Sequence, residues 1–449
     1  MTPPDVKRII DQLPEGSLFA GATFRIAPVP FKIPGALKPV LERLGDHLLH
    51  FYKATNLIYR YSSQGTAPAF VSDYLNRGKP DNLIQLSLLK RFNGDVPCVI
   101  RPDLVLRKDG FSIVELDSVP GGIGLTGYLN EVYERESFDV IGKSNGMTSA
   151  FARMCIEQSG TAKPFVALVI SEEAAMYRPE LAWLATKLIA FGVDAQAVRP
   201  EDLRGSSEGV FFGERKIDLI YRFFELFDLP HIQGIEGIIK AVEAGTVKVT
   251  PPFKPVFEEK MWLSLFSHQD LQPFFERQLG RKGIEFLKPY IPETAVIDPA
   301  PLPPQGILPV VGLRDWNGLK TFSQKERQLI IKISGFSTDA WGSRGVYCGH
   351  DMSAEDWSGA IDTAIGSFAT NPYILQKFSH SDVFEVPYYD ATTSTVVIMP
   401  GRVRLCPYYF VVGEKTELGG VLATICPIDK KLLHGMEDAI LAPCTFEEI

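Results

Sequence analysis

Apolar positions along this chain change their spacing several times, and each change predicts an element. Between Leu37 and Phe51 they recur at helical intervals (Leu41, Leu44, Leu48, Leu49, Phe51), and a second such stretch runs from Asp81 to Phe92 before the turn signal Asn93-Gly94. Residues 1–95 are therefore expected to be mainly helical. The pattern then shifts. Cys98-Val99-Ile100 and Leu104-Val105-Leu106 predict one strand, Lys108-Asp109-Gly110 a tight turn, and Phe111 to Leu116 its partner. Pro164 to Ile170 is a continuous apolar run of the kind that buried parallel strands show, followed by a helical stretch from Glu180 to Phe191 that Gly192 ends. Strands at 193–198 and 217–221 complete a small doubly wound unit.

Farther along, a helix is expected from Glu258 to Phe266, and the proline-rich segment 290–308 reads as an extended connector. Leu329 to Ile333, Val346 to Cys348 and Tyr373 to Phe378 predict strands. Between them, Ser353 caps a helix running to Phe368, with Asp356 at its third position. Thr395 to Met399 and Val403 to Val412 read as two antiparallel strands with Gly401 in the turn between them. The elements together predict an α/β (α+β) protein, and the sequence shows no internal repeat.

Composition narrows the class. A chain of 449 residues exceeds what one hydrophobic core normally serves, so two or three domains are expected. The net charge of −8, with no cluster of Lys and Arg to offset it, argues against a nucleic-acid partner. An acidic exterior still leaves room for a local cationic cleft. The six cysteines are far apart, form no CxxC pair and sit in apolar surroundings, which predicts buried, reduced thiols. The start Met1-Thr2-Pro3-Pro4-Asp5 has no signal-peptide pattern, and no apolar run reaches the ~20 residues of a membrane helix, so a cytoplasmic protein is expected. The seven scattered histidines, the missing GxSxG and the irregular Gly121-Gly122-Ile123-Gly124 argue against a catalytic zinc, a hydrolase elbow and a dinucleotide site.

The candidate chemistry lies in the 101–117 segment. Side chains two apart on a strand share a face, so Arg101 and Asp103 point one way, as do Glu115 and Asp117. Closing the hairpin at Asp109-Gly110 brings three carboxylates and one guanidinium onto one surface. Like charges at close range are costly unless a divalent cation joins them, and hard oxygen ligands of this kind suit magnesium. The plain alternative is a solvent-facing hairpin with alternating charges. Lys332 lies inside an apolar strand and must direct its ammonium at an anion or a cleft. The loop after it, with Gly335, Gly342 and Gly345, can bring backbone N–H groups against phosphate oxygens, and Arg344 can add a forked contact. For this loop the alternative is a surface connector, for Lys260 a solvated lysine, and for Arg404 a structural salt bridge.

The run Arg101-x-Asp103, an Asp-Gly turn, then Glu115-x-Asp117-x-x-Pro120-Gly121 resembles the metal-binding hairpin of ATP-grasp enzymes, with Asp117 where that family usually has Asn. The 218–221 and 251–266 segments are similar to the family's preliminary α/β domain and its first lysine-bearing helix. Lys332 and the 335–346 loop are similar to the lysine strand and phosphate-covering loop. Gln376-Lys377-Phe378 is similar to the hinge where adenine binds through backbone groups, and 403–408 to a later strand of the catalytic sheet. The hairpin precedes the other pieces. That order resembles the circularly permuted ATP-grasp proteins, among them relatives of glutathionylspermidine synthase, over residues 95–430.

The resemblance implies an ATP-grasp fold in permuted order with an inserted Rossmann-like domain: 1–95 helical, 96–155 the metal-binding part, 160–250 the Rossmann-like unit, 251–430 the nucleotide-binding subdomains and 431–449 a tail. It implies a carboxylate–amine ligase using ATP and Mg2+ on small-molecule substrates. Asp103, Glu115 and Asp117 would hold the metal. Lys260, Lys332, Gly335, Ser337, Gly342, Ser343, Gly345, Gln376, Lys377 and Phe378 would bind the nucleotide, with Glu385 or Asp382 on the ribose. Arg101, Arg344 and Arg404 would meet the developing charge. The alternative, favoured by Asp117, is a nucleotide-binding regulator or scaffold without ligase activity. Neither the substrates nor the oligomeric state is readable.

Overall fold

In the computed structural model, which describes residues 9, 12, 24–117, 119–340, 344–390, 392–430, 432–434 and 438–448, the alternating segment after residue 98 is a hairpin. Strand Val99–Arg107 runs antiparallel to Gly110–Asp117, with Arg101 opposite Asp117 and Asp103 opposite Glu115. The other edge of Val99–Arg107 pairs with Thr395–Val412, which puts Arg404 beside Val105 and Leu405 beside Leu104. Lys415–Pro427 and Ile440–Phe446 continue this sheet, and Val383–Asp390 pairs with the first half of Thr395–Val412.

Thr395–Val412 is one strand, not two strands and a turn. Gly401 lies within it, opposite Phe384 on one side and Pro427 on the other. A Cβ at this position would stand 2.5 Å from Ile425 Cγ2 and 2.9 Å from the Cys426 carbonyl oxygen. The glycine answers a close approach of the neighbouring strand, not a reversal of the chain.

The helix expected after residue 37 is Lys38–Ser63, the one expected over 81–92 ends earlier as Asp81–Ser87, and Ala69–Asn76 lies between them. Ahead of them, Arg25–Ile26 and Phe31–Ile33 add parallel to Ile440–Phe446. Strands of two and three residues are too short to leave a period in the sequence. Helices Lys38–Ser63, Ile123–Arg135 and Gly146–Ser159 pack on the large sheet, burying Leu41, Leu48, Val132 and Phe151 with Leu405, Tyr409 and Val421 in one core. The Tyr409 hydroxyl donates to the Leu41 carbonyl at 2.6 Å, pinning the longest of these helices to the sheet.

The apolar run after Pro164 is strand Phe165–Ile170 in a wholly parallel sheet. Across the sheet the order is Lys248–Thr250, Leu219–Phe223, Phe165–Ile170, Asp194–Val198. Helix Arg178–Leu188 packs on it, and Gly192, at φ 83°, turns the chain back into the sheet. Residues 203–216 form a separate small antiparallel sheet.

A fourth sheet centres on Leu329–Ile333, between Val346–Cys348 and Tyr373–Lys377. Its outer strand, Thr294–Val296, comes from the proline-rich connector. Helix Ala354–Gly366 covers one face. Ser353 caps it as expected, accepting from the Asp356 amide at 3.0 Å, and Trp357 is sealed beneath it. The sheet's other face is turned to the hairpin, and a cleft lies between them. No helix among the described residues is long and apolar enough to cross a membrane.

Candidate active site

The hairpin register sets the first constraint. Asp103 and Glu115 stand directly opposite one another, an unfavourable pair unless cations intervene. Cations do intervene. Asp103, almost fully buried, accepts from Arg101 Nε at 3.1 Å and from Arg404 Nη1 at 2.9 Å, with Cys406 Sγ at 3.5 Å. Burial works to raise its pKa, but the two guanidiniums prevail and hold the carboxyl below its ordinary range. Arg101 also donates to Asp117 at 2.5 Å and to the Gly121 carbonyl at 3.0 Å. Asp117 accepts a further bond from the Val119 amide at 2.9 Å. Burial raises the Asp117 carboxyl, against the pull of Arg101 and with the push of Asp103 and Glu115.

Two lysines converge on the same surface from distant segments. Lys332, on the central strand Leu329–Ile333, is only 7% exposed. Its Nζ donates to the Val114 carbonyl at 3.2 Å and to Gln376 Oε1 at 3.1 Å. Gln376 in turn donates to Thr294 Oγ1 at 3.0 Å. Burial pushes the Lys332 ammonium down to about 8, and Lys260 adds to this against the pull of Glu115 and Asp103. Lys260 pairs with Glu115 at 2.9 Å and reaches the Ala340 carbonyl at 3.3 Å. Burial lowers the Lys260 ammonium, but Glu115 and the carboxylates beyond it leave it above the usual value.

Lys260 is not on a helix. The helix begins at Trp262, and Lys260 sits in the turn before it because its amide donates to the Ser334 carbonyl at 2.8 Å, beside the end of the lysine strand. Behind the turn, Lys79 and Glu259 form a fully buried ion pair, and Ser334 Oγ donates to Glu259 while accepting from the Met261 amide at 3.0 Å. The sequence gives no sign of this backing, since Lys79 lies far from Glu259 along the chain.

The cleft is narrow, with a volume of about 110 Å³. Val105, Val114, Ile330, Val346 and Phe378 line its apolar part, and Asp103, Glu115, Lys332 and Arg404 its charged part. Gln376 contributes its side chain, whose role the backbone-hinge reading missed, and Arg402 also lines it. Asp117 does not. Lys377 is exposed and pairs with Glu293 at 2.6 Å. Glu385 is exposed on Val383–Asp390, and Asp382 accepts from the Lys108 amide at 2.8 Å; neither lines the cleft.

Gly335 and Gly345 are both needed for packing. A Cβ would stand 2.2 Å from the Glu258 carbonyl oxygen at the first, and 2.6 Å from Ile333 Cγ2 at the second. Ser337 Oγ accepts from the Asp339 amide at 3.2 Å. Arg344 is half-exposed, does not line the cleft, and meets Glu173 of the parallel-sheet unit at 3.4 Å. Gly342 and Ser343 lie outside the described residues.

All six cysteines are free and buried, as the apolar surroundings predicted. Among the described residues no group of three or more His, Cys, Asp or Glu side chains is arranged to hold a metal unaided. Asp103 and Glu115 offer two carboxylates, and Glu115 is 34% exposed to the cleft. That suits magnesium, which takes one or two carboxylates and draws its other ligands from phosphate and water.

The whole chain shares its fold with a glutathione synthetase-like effector from Globodera pallida in its apo form. The TM-score is 0.58 at 10% identity, over 98% of this chain and 96% of that one. A putative gamma-glutamylcysteine synthetase from Methylobacillus flagellatus KT aligns with a TM-score of 0.43 and 12% identity, over 88% of this chain and 87% of its own. A D-alanyl-alanine synthetase A from Vibrio cholerae O1 biovar eltor aligns at 0.28 and 13% identity, over 54% and 67%. No family model and no curated protein matches the sequence. At these identities the first likeness is one of fold, and the last two are too slight to weigh.

Proposed function

We propose that this chain, whose α/β architecture is of the ATP-grasp type, is an ATP- and magnesium-dependent ligase joining a small-molecule carboxylate to an amine. One observation carries the reading: Lys332 shares a partly apolar cleft with the opposed carboxylates Asp103 and Glu115, and Lys260, distant in sequence, pairs with Glu115. An adenine ring suits the apolar part and a polyphosphate the charged part. The hairpin precedes both lysines in the chain, which supports a circularly permuted order, with 96–155 and 251–430 as catalytic parts flanking an inserted unit at 160–250.

In this reading Asp103 and Glu115 hold magnesium, with Asp117 as the further candidate ligand. The metal, when bound, neutralises phosphate charge. The substrate carboxylate attacks the terminal phosphorus of ATP, and ADP leaves. The amine then attacks the acyl carbon, phosphate departs with the bonding electrons, and the amine loses a proton to leave an amide. Lys260 exchanges Glu115 for phosphate, and Lys332 approaches phosphate from the sheet. Arg101 and Arg404, fixed by Asp103, face the charge that develops at the acyl centre. Gly335, Ser337, Gly345 and Arg344 belong to the loop that covers the phosphates.

Isothermal titration of ATP with and without Mg2+ tests the reading. Wild type is expected to bind ATP in a magnesium-dependent way, and Glu115→Ala to lose most of that dependence. ATP binding by wild type that ignores magnesium would remove the metal from the hairpin.

Lys332 predicts a pH dependence as well. With an ammonium near 8, the free protein holds it charged below that pH and neutral above it. Nucleotide affinity is therefore expected to be flat below about pH 8 and to fall about tenfold per unit above it. Lys332→Arg, charged throughout, flattens the profile. A wild-type titration that stays level to pH 10 would show that this ammonium does not meet the phosphates.

A further inference from the structure

Three side chains on neighbouring strands of the sheet that carries Lys332 form one hydrogen-bonded line ending at the cleft. Thr294 stands directly opposite Gln376, and Gln376 directly opposite Ile330, which shares a face with Lys332 two residues on. Thr294 Oγ1 donates to the Pro292 carbonyl at 2.8 Å. Gln376 Nε2 donates to Thr294 Oγ1 at 3.0 Å, and Lys332 Nζ donates to Gln376 Oε1 at 3.1 Å. All three are buried, Thr294 at 4%, Gln376 at 1% and Lys332 at 7% exposure. Thr294 comes from the proline-rich connector, so no motif includes it.

Both ends of this line demand the same orientation of the Gln376 amide. An ammonium has only donors, so it must face the amide oxygen. The Thr294 hydroxyl has given its one proton to Pro292 and can only accept, so it must face the amide nitrogen. Without the hydroxyl, the amide is free to turn its NH2 group toward Lys332, where a donor would meet a donor.

The line also decides what happens to the charge. Lys260 is paired with a carboxylate, Glu115, at 2.9 Å. Both hydrogen bonds of the Lys332 ammonium go instead to neutral oxygens, those of Val114 and Gln376. Among the described residues it makes no ion pair. Asp103 and Glu115 from the hairpin, Lys260 from the turn before Trp262 and Arg404 from Thr395–Val412 act on it only at longer range. A neutral acceptor fixes an ammonium without cancelling it, which leaves one N–H and the full charge for an incoming anion.

We propose that Thr294, acting through the Gln376 amide, is a positioning residue for Lys332, and that this line of neutral groups keeps the lysine's charge for the phosphates of the nucleotide. The inference rests on the ligase reading and deepens it. Lys332 is then the preformed phosphate cation of the site, whereas Lys260 must first give up Glu115. It also assigns a task to residue 376 that glutamate, of nearly the same shape, cannot perform: a carboxylate there would hold Lys332 equally well and neutralise it.

The test joins two readouts on wild type, Thr294→Val, Thr294→Ser and Gln376→Glu. One is the titration of the Lys332 side chain in the free protein, followed by carbon-13 NMR and assigned by the signal that Lys332→Arg removes. The other is calorimetric binding of ATP with Mg2+ at neutral pH. The wild-type ammonium is expected to titrate near 8. Thr294→Val keeps the shape of the side chain, and is expected to move that titration down and to weaken ATP about tenfold. Thr294→Ser restores the hydroxyl and is expected to restore both. Gln376→Glu is expected to raise the titration by about one unit or more, as a carboxylate at this range does, and still to weaken ATP. An unmoved titration in Thr294→Val overturns the assignment even if ATP binding falls, because that loss would be structural. Wild-type ATP affinity in Gln376→Glu overturns it as well. A titration that responds to Thr294→Val and recovers in Thr294→Ser, in a protein that never binds ATP, upholds the positioning of Lys332 and sinks the ligase reading.

Discussion

Lys332→Met is expected to lower turnover by ~10²–10³-fold, the usual loss when one preorganised charge or donor is removed from a site where negative charge develops. The side chain is short of alternatives. It is sealed within the small sheet, among the described residues its ammonium hydrogen-bonds only the Val114 carbonyl and Gln376, and it lines the cleft. Methionine keeps the volume and removes the ammonium. The fold is expected to survive, because losing a desolvated charge offsets the two acceptors left without a donor. Two measurements decide the matter: ADP release with an active carboxylate–amine pair, and thermal unfolding of both proteins. A variant that unfolds at the wild-type temperature and retains more than a tenth of the activity would show that Lys332 is a structural lysine.

Much of this site could be read in the sequence because two of its parts are governed by local rules. The hairpin combines a two-residue period with a tight turn, and those fix which side chains share a surface; Arg101, Asp103, Glu115 and Asp117 pair across the strands accordingly. A lysine inside an apolar strand announces a directed charge, and Lys332 is one. The first strand of the parallel sheet was legible from its unbroken apolar run, Phe165–Ile170. Features set by distant contacts were not. Gly401 looks like a turn residue, and only the neighbouring strand at Ile425 explains it. Lys260 looks helical, but a backbone bond to Ser334 holds it out of the helix. Gln376 was read for its backbone, whereas its side chain orients Lys332. Glu385 was chosen by distance along the chain and lies exposed on a sheet edge.

The largest effect on stability is expected at the Lys79–Glu259 pair, which no motif includes. Both side chains are sealed, at 1% and 0% exposure, so neither charge can fall back on water if the other is lost. Lys79→Met leaves the Glu259 carboxylate with the Ser334 hydroxyl as its remaining partner, and a buried pair broken on one side typically costs about 3–5 kcal/mol. The damage is expected to reach the nucleotide site as well. Ser334 ties Glu259 to the Met261 amide and, through its carbonyl, to the Lys260 amide, and Lys79 also lies 5.4 Å from the Phe336 ring at the start of the glycine loop. Loosening the pair frees the turn that aims Lys260 at Glu115. Replacing both partners separates the two effects. Lys79→Met with Glu259→Leu removes both charges, so most of the stability is expected to return, since apolar substitutes for a buried pair are often neutral. ATP affinity is expected to stay low in the double variant, because Ser334 then has no carboxylate to hold it and Lys260 keeps its freedom. Urea unfolding and ATP titration of the three proteins measure both. If Lys79→Met costs under 1 kcal/mol, the pair is not the support for Lys260 that its burial implies. If the double variant recovers ATP affinity together with stability, Lys260 is positioned by packing alone.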